Sequence, residues 1–547
     1  MMNKQYTPYF ASLLCALVLS SCGGGGGGDA TTPTVTPPVT PPSTVTISGT
    51  ISFDKVRQTS TSNPALNYTV IDVLPAAGIV VEAINSSDAV IANTITDSNG
   101  NYSVELPANT SIRIRAKAQL LDDNWNFKVT DNTNSDALYV LDGQSANTGT
   151  GNSSRDLHAD SGWGGSAYTT TRAAAPFAML DVVFTGIQQI IAVDSTTTFP
   201  AAEIRWSINN RPSSGALTDG DINTSFFTIT NGLPTIYILG AENVDTDEYD
   251  EDVVAHEWGH YIESQLSRSD SIGGNHGLTD HLDMRVAFSE GLGNALSGVI
   301  NGDSFYVDSF GPQQANGFAL DLETKSNFSP NGWFSEDTIQ SLLFDISDNN
   351  NEGQDTLSLG MAGLINVLTS PSYKESTALT SIFTFAESFK TVDAANSVGL
   401  DNLLGANNIN SDSAFATGET NNAFRNNILP IYTPVSVGGS AVNVCSTKVD
   451  GEDNKLGNFR FITVDIPVRR QYDIAVIGTT GLANSDPDFF VTRQGQLLFV
   501  GGSGDLNVEN GSVTLDPGIH VISLVEFLNN DDDNTTGGVS CFDLSVI

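Results

Sequence analysis

His256-Glu257-Trp258-Gly259-His260 places two imidazoles and one carboxylate within five residues. On an α-helix, positions four apart share a face, so His256 and His260 can aim ring nitrogens at one metal ion. Glu257 then flanks the ion, where it can take a proton from a water whose pKa a bound zinc lowers to about 7. With 6 His in 547 residues, chance produces this pattern in roughly 0.002 of such chains. The plainer alternative is a surface helix with scattered polar residues.

The surroundings suit a helix. Asp250, Glu251 and Asp252 put negative charge at its N-terminus, and Val253, Val254, Tyr261, Ile262 and Leu266 give it apolar faces. A catalytic zinc needs a third protein ligand and one open position. The metzincin pattern would put Gly and His three and six residues after His260, but Glu263 and Leu266 stand there. Residues 285–296 read instead as a second helix with Glu290 and Asn294 on one face. HExxH followed by such a helix resembles the gluzincin superfamily, the thermolysin-like zinc metallopeptidases. The resemblance implies His256, His260 and Glu290 as zinc ligands, Glu257 as general base, and Asn294 as a supporting residue behind a ligand histidine. Thermolysin-like enzymes carry Asp at that last position, and their loop between the two motifs is shorter. A mixed α+β lobe followed by a helical lobe, with the metal between them, is the fold implied.

Other residues have open roles. His276 and His281 in the intervening loop, beside Asp280 and Asp283, are rival ligands or solvated side chains. Asp283 either orients a metal-bound imidazole or caps the second helix. Residues 233–240 have strand composition, read either as a cleft edge that adds a peptide strand or as an ordinary core strand. The acidic connection 242–252 either binds calcium through its carboxylates or is a solvated loop. Tyr306 and His281 are the candidates for a donor to the developing oxyanion. Ser335 reads as the N-cap of a helix with Glu336 and Asp337 in its first turn and Ile339, Leu342, Leu343 and Ile346 on one stripe.

The N-terminus carries Lys4, an apolar stretch, and Leu19-Ser20-Ser21-Cys22, which resembles a bacterial lipobox with Cys22 lipidated. Residues 1–21 would then be a lipoprotein signal peptide and 22–44 a Gly and Thr/Pro-rich tether to the lipid bilayer. With nothing acidic directly after Cys22, an outer-membrane or cell-surface location is favoured. The stretch 178–193 is apolar but follows a helical stripe broken by Asp181, Gln188 and Gln189, so no second span is expected. Cys445 and Cys541 are left to form a disulfide, worth roughly 4–5 kcal/mol in the chain-entropy model. A formal charge of −40, from 63 acids against 23 bases, argues against nucleic acid as a partner.

Length and composition divide the rest into three. Residues 45–121 read as short strands with a hairpin signal at 96–101, resembling the carboxypeptidase regulatory-like β-sandwich. Residues 153–434 carry the metal motif and a helix-rich tail, and 435–547 return to strands, resembling the pre-peptidase C-terminal sandwich. The fold class expected is multidomain: an α+β zincin core flanked by two all-β sandwiches. The expected function is zinc-dependent hydrolysis of peptide bonds in extracellular or periplasmic proteins by a lipid-anchored enzyme. The alternative is a non-catalytic envelope adhesion or scaffold protein whose zinc site serves structure.

Overall fold

Strand β1 (Thr44–Thr59) buries Val45, Ile47, Ile51, Phe53 and Val56 and pairs along its length with two partners. β2 (Ala65–Pro75) meets its second half and, further on, β5 (Asn101–Pro107) meets its first half. The computed structural model describes residues 43–60, 63–482, 484–530 and 537–547. The expected signal peptide 1–21, Cys22 and nearly all of the tether lie outside the described residues.

Between these strands the chain enters a larger sheet through β3 (Ile79–Asn85) and β4 (Val90–Ile95), which form an antiparallel pair. The turn at 97–101 closes as expected, with Asp97 N–H donating to the Asn101 carbonyl at 2.9 Å. It does not make a hairpin of its flanking strands, because β4 stays with β3 while β5 crosses to β1. β6 (Ser111–Asp122) and β7 (Trp125–Asp131) follow as a hairpin with Asp122 opposite Trp125. The boundary expected after residue 121 therefore falls inside a paired ladder. β8 (Ala202–Trp206), β9 (Phe226–Thr230) and β10 (Leu233–Ile238) join the sheet, whose main path runs β9-β10-β8-β7-β6-β3-β4, and three short strands between residues 137 and 147 bring it to ten.

The neighbours of β10 decide between the two readings of 233–240. β10 runs parallel to β8 on one side and antiparallel to β9 on the other, so 233–240 is core rather than edge. Its Thr235 to Ile238 are all buried, as a strand with neighbours on both sides demands. The edge belongs to β9.

Helix α1 (Ala175–Val193) has the length and composition of a membrane span, and 56% of its apolar window is buried inside the fold. α2 (Glu251–Gln265) and α3 (Met284–Asn301) pack beside it, followed by the hairpin of β11 (Phe305–Phe310) with β12 (Asn316–Asp321) and by α4 (Glu336–Ser347). Ser335 caps α4, accepting from Thr338 N–H, as its sequence indicates. Further helices occupy Met361–Leu368, Ile382–Val392 and Ser397–Ala406.

Beyond Tyr432 the chain forms two sheets, of five and four strands, with a core of their own that includes Val464, Tyr472, Phe489 and Phe542. Strand Val442–Thr447 pairs with Val539–Val546 so that Cys445 stands opposite Cys541, and the two form a disulfide. The described chain is thus rich in β structure, in five sheets, with a helical stretch from α4 to Ala406.

Candidate metal centre

α2 and α3 approach closely because glycines face each other where they cross. A Cβ on Gly259 would lie 3.2 Å from the Gly293 Cα, and one on Gly293 would lie 2.8 Å from the His256 ring. This lets α3 bring Glu290 up to the histidines of α2. His256 Nε2 lies 3.0 Å from His260 Nε2. Glu290 Oε2 lies 3.3 Å from the first and 3.2 Å from the second. A tetrahedral zinc with ligands at about 2.0–2.1 Å sets its donors about 3.3 Å apart, so this donor set fits the ion in both chemistry and spacing. Burial works against charge on His260, but the carboxylates of Glu290, Glu257 and Glu263 outweigh it and push its pKa up to about 10.

Each histidine is held from behind, as ligand imidazoles require. Asn294 Oδ1 lies 2.7 Å from His256 Nδ1. The Asn294 amide donates from Nδ2 to Glu336 Oε1 at 2.9 Å and Gln340 Oε1 at 2.8 Å, both on α4. Gln340 in turn donates to Asp337 Oδ1, which fixes its oxygen toward Asn294. With both Asn294 donors committed, its oxygen must accept, so the His256 ring donates from Nδ1 and turns Nε2 to the metal position. His260 Nδ1 sits 3.4 Å from Ser289 Oγ, which donates to the buried Glu263 at 2.6 Å.

The centre lines a cavity of about 1100 Å³ together with Glu257, Phe226 and Phe227 of the edge strand, Tyr306 and His276. Tyr306 places its ring 5.9 Å from that of His256, and burial pushes its hydroxyl pKa well above the usual range. The structure thus keeps Tyr306 as a donor candidate and removes His281. That ring stacks on Phe334 at 5.2 Å, with Nδ1 3.5 Å from Asp450, and does not line the cavity. Asp283 orients no imidazole either: it accepts from Arg285 N–H as helix cap and pairs with the Arg285 guanidinium at 2.9 Å. His276, weighed above as a rival ligand or a solvated side chain, lies with Nε2 3.3 Å from Glu290 Oε2 and 3.9 Å from Glu336 Oε2.

The acidic connection is not a solvated loop. Asp250 accepts from Ser309 N–H and Asp252 from Val307 N–H, binding the start of α2 to β11. Asp245, Asp247 and Asp308 bring carboxylate oxygens within 4.8 Å of one another on the cavity wall. Burial raises the Asp252 and Asp308 pKa values to about 7.

Sequence reasoning missed Glu263, Ser289, Glu336 and Gln340. The available signal, for two of them, was the i, i+4 spacing of Glu336 and Gln340 at the start of α4.

No family model and no curated protein matches the chain. Among solved structures, the pre-peptidase C-terminal domain of a Bacillus anthracis collagenase is 13% identical, covering 21% of this chain and 94% of that one at a TM-score of 0.16. CorA, a surface-associated copper-binding protein of Methylomicrobium album BG8, is 10% identical over 21% of this chain and 98% of its own, at 0.17. PliG, a periplasmic lysozyme inhibitor from Aeromonas hydrophila, is 12% identical over 21% and 97%, at 0.14. Likenesses of this size carry no functional argument.

Proposed function

We propose that the chain is a gluzincin-type zinc metallopeptidase, anchored through Cys22 to the bacterial outer membrane or cell surface, that hydrolyses peptide bonds of extracellular or periplasmic proteins. One observation carries this reading: two imidazole nitrogens and a carboxylate oxygen, 3.0–3.3 Å apart, converge in a cavity large enough for a peptide and lined by Glu257. His256, His260 and Glu290 would hold the ion, and bound zinc supplies Lewis-acid activation of water and of the scissile carbonyl. Glu257, one residue from His256, accepts the proton of the attacking water and delivers it to the leaving amine. Tyr306 and His276, which line the same cavity, would be the donors to the developing negative charge. The edge strand β9 offers unpaired backbone groups, to which an extended substrate can add as a further strand.

His276 also supports the second reading, a non-catalytic envelope adhesion or scaffold protein with a structural zinc. Its Nε2 stands 3.3 Å from Glu290, near enough to supply a fourth protein ligand and close the site. His276→Ala separates the two. A catalytic centre keeps its zinc and loses rate, whereas a closed structural site loses zinc affinity. The decisive measurement is zinc content together with casein hydrolysis, with and without chelator. One bound zinc with no hydrolysis across varied proteins would favour the scaffold.

A further inference from the structure

At the end of α4 away from the metal centre, three carboxylates meet and the charges of two more bear on them. Glu323 follows β12, Asp345 and Asp348 close α4, and Glu352 and Asp355 lie in the loop leading to Met361–Leu368. Oxygens of Glu323, Asp345 and Glu352 all lie within 4.8 Å of one another. Glu323 Oε2, Asp345 Oδ1, Asp348 Oδ1 and Asp355 Oδ2 are buried and lack any hydrogen-bond partner. Asp355 is only 5% exposed. Its Oδ1 accepts from Leu357 N–H at 2.9 Å, which anchors the side chain and leaves Oδ2 unanswered. The largest charges bearing on Asp345 come from Asp355, Glu352, Asp348 and Glu323, all acids. Asp345 also feels Lys325, whose ammonium donates to Asn331.

Buried carboxylate oxygens left without donors cost free energy unless a cation answers them. We propose that Glu323, Asp345 and Glu352, with Asp348 and Asp355 beside them, form a calcium site that locks the C-terminal end of α4 to the chain on either side of it. Calcium takes six to eight oxygens at about 2.3–2.6 Å, so oxygens sharing one ion lie within about 5 Å of one another. Its tolerance of irregular geometry suits carboxylates drawn from a helix end and two loops, whereas magnesium demands near-octahedral ligands and keeps its waters. α4 carries Glu336 and Gln340 at its other end, where they hold Asn294 and through it His256. The ion would therefore steady the helix behind the metal centre without touching it. The site stands whether or not the chain hydrolyses peptides.

The test compares the parent protein, the D345N/E352Q double variant and D247N, each depleted of calcium by dialysis against EGTA and returned to one equivalent of zinc. Equilibrium dialysis with calcium alone should show one ion fewer per chain in D345N/E352Q than in the parent and no loss in D247N. Calcium should raise the thermal midpoint of the parent, and magnesium at the same concentration should not. In EGTA the double variant should melt above the parent, because the amides relieve repulsion, and the order should reverse in calcium. That crossing separates a lost site from a lost fold. The proposal is overturned if the parent binds no calcium, if the double variant binds as many ions as the parent, or if D247N loses the ion instead.

Discussion

Asn294 shows why a single atom matters here. It must accept from the His256 ring while donating to two carbonyl-type oxygens, Glu336 Oε1 and Gln340 Oε1, and among side chains of this size only an amide does both. Aspartate, the residue thermolysin-like enzymes use, would set a carboxylate against two acceptors in a buried site. N294D should therefore weaken zinc binding, and N294A should weaken it about 10–100-fold, read by competition with a chromogenic chelator. A variant N294D that binds zinc as tightly as the parent would show that the α4 acceptors do not govern this position. Glu257 gives the complementary test. E257Q should retain one zinc per chain while hydrolysis falls by about 10²–10⁴-fold, and casein cleavage at the parental rate would exclude it as the base.

Helices succeed here by coming close. Ala is the better helix former than Gly by about 1 kcal/mol, so G293A ought to stabilise an isolated α3. In the folded protein its Cβ would stand 2.8 Å from the His256 ring, and the helix or the imidazole must move. G293A should keep its far-ultraviolet circular dichroism while zinc affinity falls about tenfold or more; unchanged affinity would mean the crossing can relax without cost. Such contacts mark the limit of what was legible in the sequence. The i, i+4 histidines, the Glu290–Asn294 face and the Ser335 cap each rest on local spacing, and the structure brings them together as their periodicity requires. What pairs with β10, where the ring of His276 goes and which residue answers Asn294 are settled by contacts between segments far apart in the chain, which periodicity does not encode. Asp283 shows both sides of this: its place before α3 left a cap and an imidazole partner equally open, and Arg285 two residues on decided for the cap.

The whole chain joins its parts through the site. The loop between Val442–Thr447 and Phe459–Ile466 reaches back to the segment carrying His276: Asn454 Nδ2 donates to the Gly273 carbonyl at 2.7 Å, and Leu456 N–H to the His281 carbonyl at 2.8 Å. Arg285 stacks over Phe459 and Phe461 with its guanidinium 4.9 and 5.0 Å from their ring centres. The C-terminal sheets thus hold one wall of the cavity. N454A/K455A should leave zinc content unchanged, speed proteolytic nicking within 267–283, and lower kcat/KM about tenfold or more, since small displacements of positioned groups are costly. Buried acids dispersed through the same molecule set its pH response. Glu323 and Asp345 are pushed up to about 8, and Asp252 and Asp308 to about 7, in each case chiefly by burial. A carboxyl whose folded pKa exceeds its unfolded value near 4 contributes stability that is full below pH 4 and lost as pH rises through the folded value. His281 and His520 are lowered by burial; their contribution runs the other way but is complete by about pH 6.5. From pH 6.5 to 8.5 the acids therefore decide the sign, and the calcium-depleted, zinc-loaded protein should unfold at lower urea concentration at pH 8.5 than at pH 6.5. Added calcium should flatten that slope, because a bound cation removes the penalty for ionising Glu323 and Asp345 and leaves that of the other buried acids, Asp252 and Asp308 among them. A urea midpoint that rises with pH in the depleted protein would mean that these carboxylates reach water in the folded state.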